Sequence, residues 1–163
     1  MKTGIIMEGG AMRGMFTAGV IDVLMENNIT FDGAIGVSAG AAFGSNLKSG
    51  QIGRAIRYNL KYCNDKRYCS LRSLILTGNY YGAEFCYHEL PDKLDVFDTE
   101  AFDKNPMEFY AVCTDIYTGN PVYKKCEKAN YELYEWIRAS ASLPLAARVV
   151  EVGGMKLLDG GIS

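Results

Sequence analysis

Apolar residues fall in short bursts along this chain, and their spacing switches between two periods. Residues 2–8 hold a brief run through Ile5, Ile6 and Met7 that has the length of a strand. From Met15 to Glu26 the apolar positions Phe16, Val20, Val23 and Leu24 recur at helical spacing until Asn27-Asn28 stops them. Phe31 to Ile35 is a second short run, and small residues from Ala41 onward open a helix that ends near Gly50. A strand–helix–strand–helix start predicts a parallel sheet covered by helices, here a three-layer α/β/α domain with a mostly parallel central sheet.

The middle of the chain is less regular. Gln51 to Cys63 keeps helical spacing through Ile52, Ile56 and Leu60, and residues 64–105 are mixed, with a turn at Thr77-Gly78-Asn79 and a helical piece from Ala83 to Leu94. This stretch is expected to form a helical insertion or lid, its tyrosines serving as packing groups or as the lining of an apolar pocket. Regular alternation returns at Met107–Ile116, where Phe109, Ala111 and Cys113 share one face. The turn Thr118–Pro121 then brings Val122–Lys125 back as a hairpin partner. Tyr131–Ser140 reads as a helix ended by Leu143-Pro144, and residues 148–152 and 155–158 form a second hairpin around Gly153-Gly154.

The bulk numbers narrow the field. The 163 residues suit a single domain over 1–163, and a strand that runs into Asp159-Gly160-Gly161 just before Ser163 leads us to expect a domain truncated at its C-terminal side. Seventeen basic against nineteen acidic residues, net charge −2, with no basic stripe, argue against a nucleic-acid partner. No stretch is long and apolar enough to span a bilayer, and the N-terminus lacks the length of a secretory signal. Five cysteines without zinc-ligand spacing then point to free thiols in the cytoplasm and to no metal site. His88, the one histidine, lies far from any motif and is expected to be a surface or partly packed residue.

Chemistry concentrates at three places. Gly36-Val37-Ser38-Ala39-Gly40 joins the second strand to its helix. A serine on so tight a turn has its Oγ pushed into the open, while Gly36 and Gly40 permit the turn and keep side chains away. In a chain with 18 glycines the G-x-S-x-G pattern alone is weak; the strand before it and the helix after it make it a nucleophile elbow. The loop Gly9-Gly10-Ala11-Met12-Arg13-Gly14 has side chains absent or tiny at three successive positions. Its N–H groups can therefore turn toward one anion, with the Arg13 charge and a helix start beside them. A dinucleotide site is the rival reading of this loop. It is disfavoured because Ala11 stands where the middle glycine of G-x-G-x-x-G belongs, and Asp32 lies at the start of the second strand, not its end. With histidine nearly excluded, a carboxylate has to accept the serine proton, and Asp159 is the best placed. It ends an apolar strand, and Gly160 and Gly161 supply a sharp turn. Alone it would read as an ordinary turn aspartate. Asp115, also late in a strand, is the competitor, and a turn role suits it better.

These residues resemble the patatin-like phospholipases. The family's G-G-G-x-R/K-G motif is similar to Gly9–Gly14, its G-x-S-x-G to Gly36–Gly40 and its D-G-G/A to Asp159–Gly161, in the same order. Arg138 to Pro144 resembles its small-residue segment before the late hairpin. The resemblance spans the chain and implies a lipid acyl hydrolase acting on a phospholipid or related lipid ester. Ser38 is then the nucleophile and Asp159 the general base of a dyad without histidine. Gly10 and Ala11 supply the main oxyanion N–H groups, and Arg13 either holds a lipid phosphate or orders the loop through a salt bridge. It implies no metal or cofactor, a cytoplasmic location and transient peripheral contact with a membrane. A non-lipolytic esterase or acyltransferase with the same dyad, and a non-catalytic binding module, stay open as alternatives. One departure is Ala11 in place of a glycine, which costs about 1 kcal/mol if that position needs a positive φ.

Overall fold

The computed structural model of the chain describes residues 1–163. Six strands form one sheet: β1 (Gly4–Met7), β2 (Gly33–Val37), β3 (Glu108–Asp115), β4 (Pro121–Lys125), β5 (Val150–Val152) and β6 (Met155–Asp159). β1, β2 and β3 pair in parallel, β4 and β6 both run antiparallel to β3, and β5 runs antiparallel to β6. Four of the six strands therefore point the same way, as the βαβ opening predicts. The first two strands carry apolar residues at nearly every position, the run-like pattern common in parallel sheets, although β1 lies at the edge and pairs only with β2.

The helices are α1 (Met15–Glu26), α2 (Ala39–Ser49), α3 (Arg54–Tyr62), α4 (Leu71–Thr77), a π-helix (Phe85–Leu94), α5 (Thr99–Lys104) and α6 (Tyr131–Ser140). Side-chain alternation puts Met7, Ala34, Phe109, Ala111 and Cys113 on one face of the sheet, all buried, and α2 and α6 pack there. Phe109 and Phe102 meet edge to face in this core, while Trp136 of α6 closes over Val150 and Leu157. A second core gathers Phe43, Tyr58, Tyr62, Tyr68, Phe85 and Leu90, so the insertion or lid expected of residues 64–105 packs as a layer with α3 on α1 and α2.

The sheet of mostly parallel strands flanked by helices is the α/β fold expected of the chain. Ile6 is 78% exposed, and the turn Gly160–Ile162 lies against Val112 and Thr114. One expectation needs adjustment. In α1 the stripe Phe16, Val20 and Val23 points outward, and the helix buries Ala18, Ile21 and Asp22 instead. Its small side allows close approach to α2 and α3, and the Asp22 carboxylate accepts the Gly53 N–H at the start of α3. α5 went unread in the sequence because it is a single six-residue stretch; Asp98 caps it through the Ala101 N–H.

Candidate active site

The site arises from an arrangement at one edge of β3. β2 pairs with Glu108–Val112 and ends with Val37 opposite Val112; β6 pairs with Cys113–Asp115 and ends with Asp159 opposite Cys113. Along β3 the odd residues direct their backbone groups to β4: the Phe109 carbonyl accepts the Cys126 N–H and the Asp115 N–H donates to Asn120. The even ones face the other way, with Glu108 N–H donating to Asp32 and Ile116 N–H to Lys156. β2 and β6 therefore share a single edge and run head to head, so their last residues meet. Ser38 follows the one and Asp159 closes the other.

Ser38 sits at φ 55°, ψ −122°, a conformation that a non-glycine residue holds only when its surroundings enforce it. Three features do so. Gly40 lies against β1, where a Cβ would come 2.1 Å from the Met7 carbonyl oxygen. Gly36 lies against the first turn of α2, where a Cβ would meet the Ala41 Cα at 2.5 Å. The Ser38 N–H donates to the Ser140 Oγ at 2.9 Å, and that hydroxyl in turn donates to the Val112 carbonyl at 2.6 Å. Ser140 is fully buried in the gap between the two strand ends and ties the elbow to β3 and α6. In the sequence Ser140 is marked only by the run of small residues Ala139 to Ser142 at the end of a helix.

Asp159 is held at three of its four polar atoms. Its N–H donates to the Ser142 carbonyl (2.9 Å), its carbonyl accepts the Thr114 hydroxyl (2.8 Å) and its Oδ1 accepts the Gly161 N–H (2.8 Å). Burial pushes its carboxyl above the ordinary carboxylate range; the Ser38 hydroxyl beside it and the Gly161 N–H oppose the rise without cancelling it. Ser38 and Asp159 are thereby brought together from 121 positions apart in the sequence. Asp115 accepts the N–H groups of Tyr117 and Thr118 and has its pKa lowered by them, the turn role expected of it.

The raised carboxyl has two consequences of opposite sign. If Asp159 works as the ionised base, the acid limb of kcat/KM falls above the ordinary aspartate value of about 4, and a pH–rate profile reads it. For stability, a carboxyl whose pKa is higher folded than unfolded destabilises the fold once ionised. That loss is absent below the unfolded pKa, grows as pH rises, and is complete above the folded pKa. Asp159→Asn, which keeps the acceptor for the Gly161 N–H, is expected to melt above the wild type at neutral pH, with the difference closing in acid. Melting curves across the acid range check the sign.

The loop ahead of α1 faces the same point. A Cβ on Gly9 would lie 2.9 Å from the Ser38 Cβ, so any larger residue there displaces the serine. Gly10 has φ 144° and Ala11 φ 48°, so Ala11 does occupy the left-handed region and carries the strain foreseen for it. The N–H groups of Gly9 and Gly10 have no acceptor in the protein, and Ala11 opens the 3₁₀ turn Ala11–Gly14, where first-turn N–H groups lack intrahelical partners. Gly14 packs against Ala39 at the start of α2, where a Cβ would come within 2.9 Å. The Arg13 guanidinium folds back over Gly10, is exposed and has no carboxylate partner; the salt bridge considered for it is not formed.

Ser38, Asp159 and residues 8–13 border a cavity of about 700 Å³, within the usual range for a small-molecule site. Of its 34 lining residues 20 are hydrophobic, among them Tyr58, Tyr68, Tyr81, Tyr87, Leu90, Phe97 and Ile137, so the lid tyrosines line an apolar chamber as well as pack. Burial raises the phenols of Tyr68, Tyr81 and Tyr87, and they stay neutral. His88 is elsewhere: its Nε2 lies 3.0 Å from the Glu135 carboxylate, which also holds Arg138, and its ring stacks on Tyr131. All five cysteines are free, and burial pushes the thiol of Cys113 up to about 12 and that of Cys126 up to about 11, which leaves both inert.

Ser140→Ala tests how the elbow is held. It leaves the Ser38 N–H and the Val112 carbonyl without a partner, at a cost of about 1–3 kcal/mol. Because Ser38 shifts while the cavity does not, kcat is expected to fall about tenfold or more with KM little changed if its hydroxyl does the chemistry. Steady-state kinetics beside a melting curve separate the two effects.

A strand-to-helix serine elbow, a carboxylate at a facing strand end and unpaired loop N–H groups thus meet at one edge of a mostly parallel α/β sheet. The model of the family described as patatin-like phospholipase matches residues 5–163, and the chain belongs to that family, which is one of lipid hydrolases. It is similar to the uncharacterized protein YjjU of Escherichia coli (strain K12), 31% identical over an alignment 168 positions long that covers 99% of this chain and 46% of YjjU, so the chain spans about half the length of that relative.

Proposed function

We propose that this domain hydrolyses carboxylic esters of phospholipids or related lipids through a Ser38–Asp159 dyad. The observation that carries the reading is the head-to-head meeting of β2 and β6, which leaves a strained serine hydroxyl beside a buried carboxylate and in front of unpaired N–H groups. Ser38 Oγ attacks the ester carbonyl as its proton passes to Asp159. The carbonyl oxygen becomes an oxyanion held by the N–H groups of Gly10 and Ala11, with Gly9 adjacent. Collapse breaks the ester bond, and Asp159 returns the proton to the departing alcohol. Water then loses a proton to Asp159 and attacks the acyl-Ser38, and the proton goes back to Ser38 as the fatty acid leaves.

An aspartate is a weak base, and burial strengthens it in the useful direction by raising its proton affinity. The apolar chamber suits an acyl chain, and the unpaired Arg13 at its mouth suits a phosphate. No residue of the scheme calls for a metal or cofactor. A fluorophosphonate probe and a panel of p-nitrophenyl esters and phospholipids test it. Labelling at Ser38 with turnover of long-chain lipid esters supports the reading. Labelling with turnover of short esters alone favours a non-lipolytic esterase, transfer to an added alcohol favours an acyltransferase, and no labelling makes the site a binding module.

A further inference from the structure

α4 is anomalous: none of its residues is buried, yet Leu71, Ile75 and Leu76 are 70%, 82% and 66% exposed. An ordinary surface helix turns such residues toward the core. Beside it, Leu145 is 97% exposed at φ 68°, a conformation unfavourable for leucine that holds its side chain outward, and Leu143 and Val149 are exposed as well. The two segments are one surface. The Tyr80 N–H donates to the Ala146 carbonyl (2.7 Å), the Arg148 N–H donates to Asn79 Oδ1 (3.0 Å), and the Arg148 side chain lies over Gly78 at the end of α4. This surface is also the rim of the active-site cavity, whose wall includes Asn79, Tyr80, Leu143 and Ala146.

Its charge is the second observation. In a chain of net charge −2, residues 66–83 and 136–150 carry Lys66, Arg67, Arg72, Arg138 and Arg148 and not one carboxylate. Arg67 and Arg138 are paired with acids outside those segments, whereas Lys66, Arg72 and Arg148 are exposed and have no ion-pair partner. Exposed apolar side chains and free cations in the same two segments at a cavity mouth match the two layers of an anionic bilayer surface, acyl boundary and head groups.

We infer that α4 and the 143–149 loop dock the protein on an anionic lipid surface, with the cavity mouth turned toward the lipid. This rests on the lipid-hydrolase reading and names the face through which the substrate arrives. The test uses the full chain with Ser38→Ala, so binding is read without turnover, and vesicles of equal parts phosphatidylglycerol and phosphatidylcholine. The protein is expected to sediment with these vesicles and to be released by salt and by pure phosphatidylcholine. Arg72→Ala is expected to weaken the partition about fivefold, and the pair Leu76→Glu and Leu145→Glu to abolish it. In the active protein the same pair is expected to retain hydrolysis of p-nitrophenyl butyrate and to lose hydrolysis of vesicle lipid. Absence of vesicle binding, or a glutamate pair that binds like the wild type, overturns the inference. So does a concentration-dependent dimer that Leu76→Glu dissolves without any vesicle binding, since a second copy then covers the face. Vesicle binding without ester hydrolysis by any form leaves the docking face standing and overturns the hydrolase.

Discussion

Ser38→Ala is expected to lower turnover of p-nitrophenyl butyrate by about four orders of magnitude and to remove fluorophosphonate labelling, with the melting curve little changed. Asp159→Asn is expected to lose about a thousandfold, within the range general-base catalysis supplies. The double variant should be no slower than Ser38→Ala, because nucleophile and base act on one proton as a unit. Asparagine still accepts the Gly161 N–H and leaves the Ser142 and Thr114 contacts to the backbone untouched, so the effect on rate is separable from an effect on the turn. Full activity in Asp159→Asn would remove the carboxylate from the mechanism and leave the serine to be activated by some other group.

The second large effect falls on stability. Gly40→Ala adds one methyl whose carbon would stand 2.1 Å from the Met7 carbonyl oxygen, 2.6 Å from its carbon and 2.7 Å from the Glu8 oxygen, all backbone. No side chain is there to swing aside, so β1 and α2 must separate. We expect a loss of at least about 3 kcal/mol, a large part of a domain's typical stability of about 5–15 kcal/mol, and a fall in melting temperature of about 10 °C. The control is Gly19→Ala on α1, where nothing lies within 4 Å of the added carbon. There alanine should gain up to about 1 kcal/mol from helix propensity alone. If Gly40→Ala melted like its control, the close approach of β1 to the elbow helix, and with it the enforced geometry of Ser38, would be wrong.

The proposed docking and the proposed chemistry involve different parts of the molecule. The sheet edge holds Ser38 and Asp159, and the middle segment supplies much of the chamber and its rim. The same insertion that resisted sequence reading, residues 64–105, holds the exposed leucines of α4, the cavity-lining tyrosines and the π-helix. In that π-helix Pro91 sits inside a run whose last bond is the Asp95 N–H to the Leu90 carbonyl. Such segments follow neither period cleanly. Their residues answer to the cavity and to the rim, not to one buried face.

From the sequence alone came the strand–helix–strand–helix opening, α1 and α6 to within a residue, the serine elbow, the glycine-rich loop and the late Asp-Gly-Gly turn. These are legible because each depends on neighbours within a few positions: periodicity, a stop at Asn27-Asn28, a glycine wherever a turn needs one. Only the tertiary structure decided the rest. It decided that β6 returns to the edge of β3 already used by β2, so that two chain ends point at each other and a distant carboxylate reaches the serine. It decided that Ser140 fills the gap between them, that α1 faces Phe16, Val20 and Val23 outward, and that α4 buries none of its residues. Each of these is a matter of which surface meets which, and hydrophobic burial is non-directional: it rewards covering an apolar face without saying which partner will cover it.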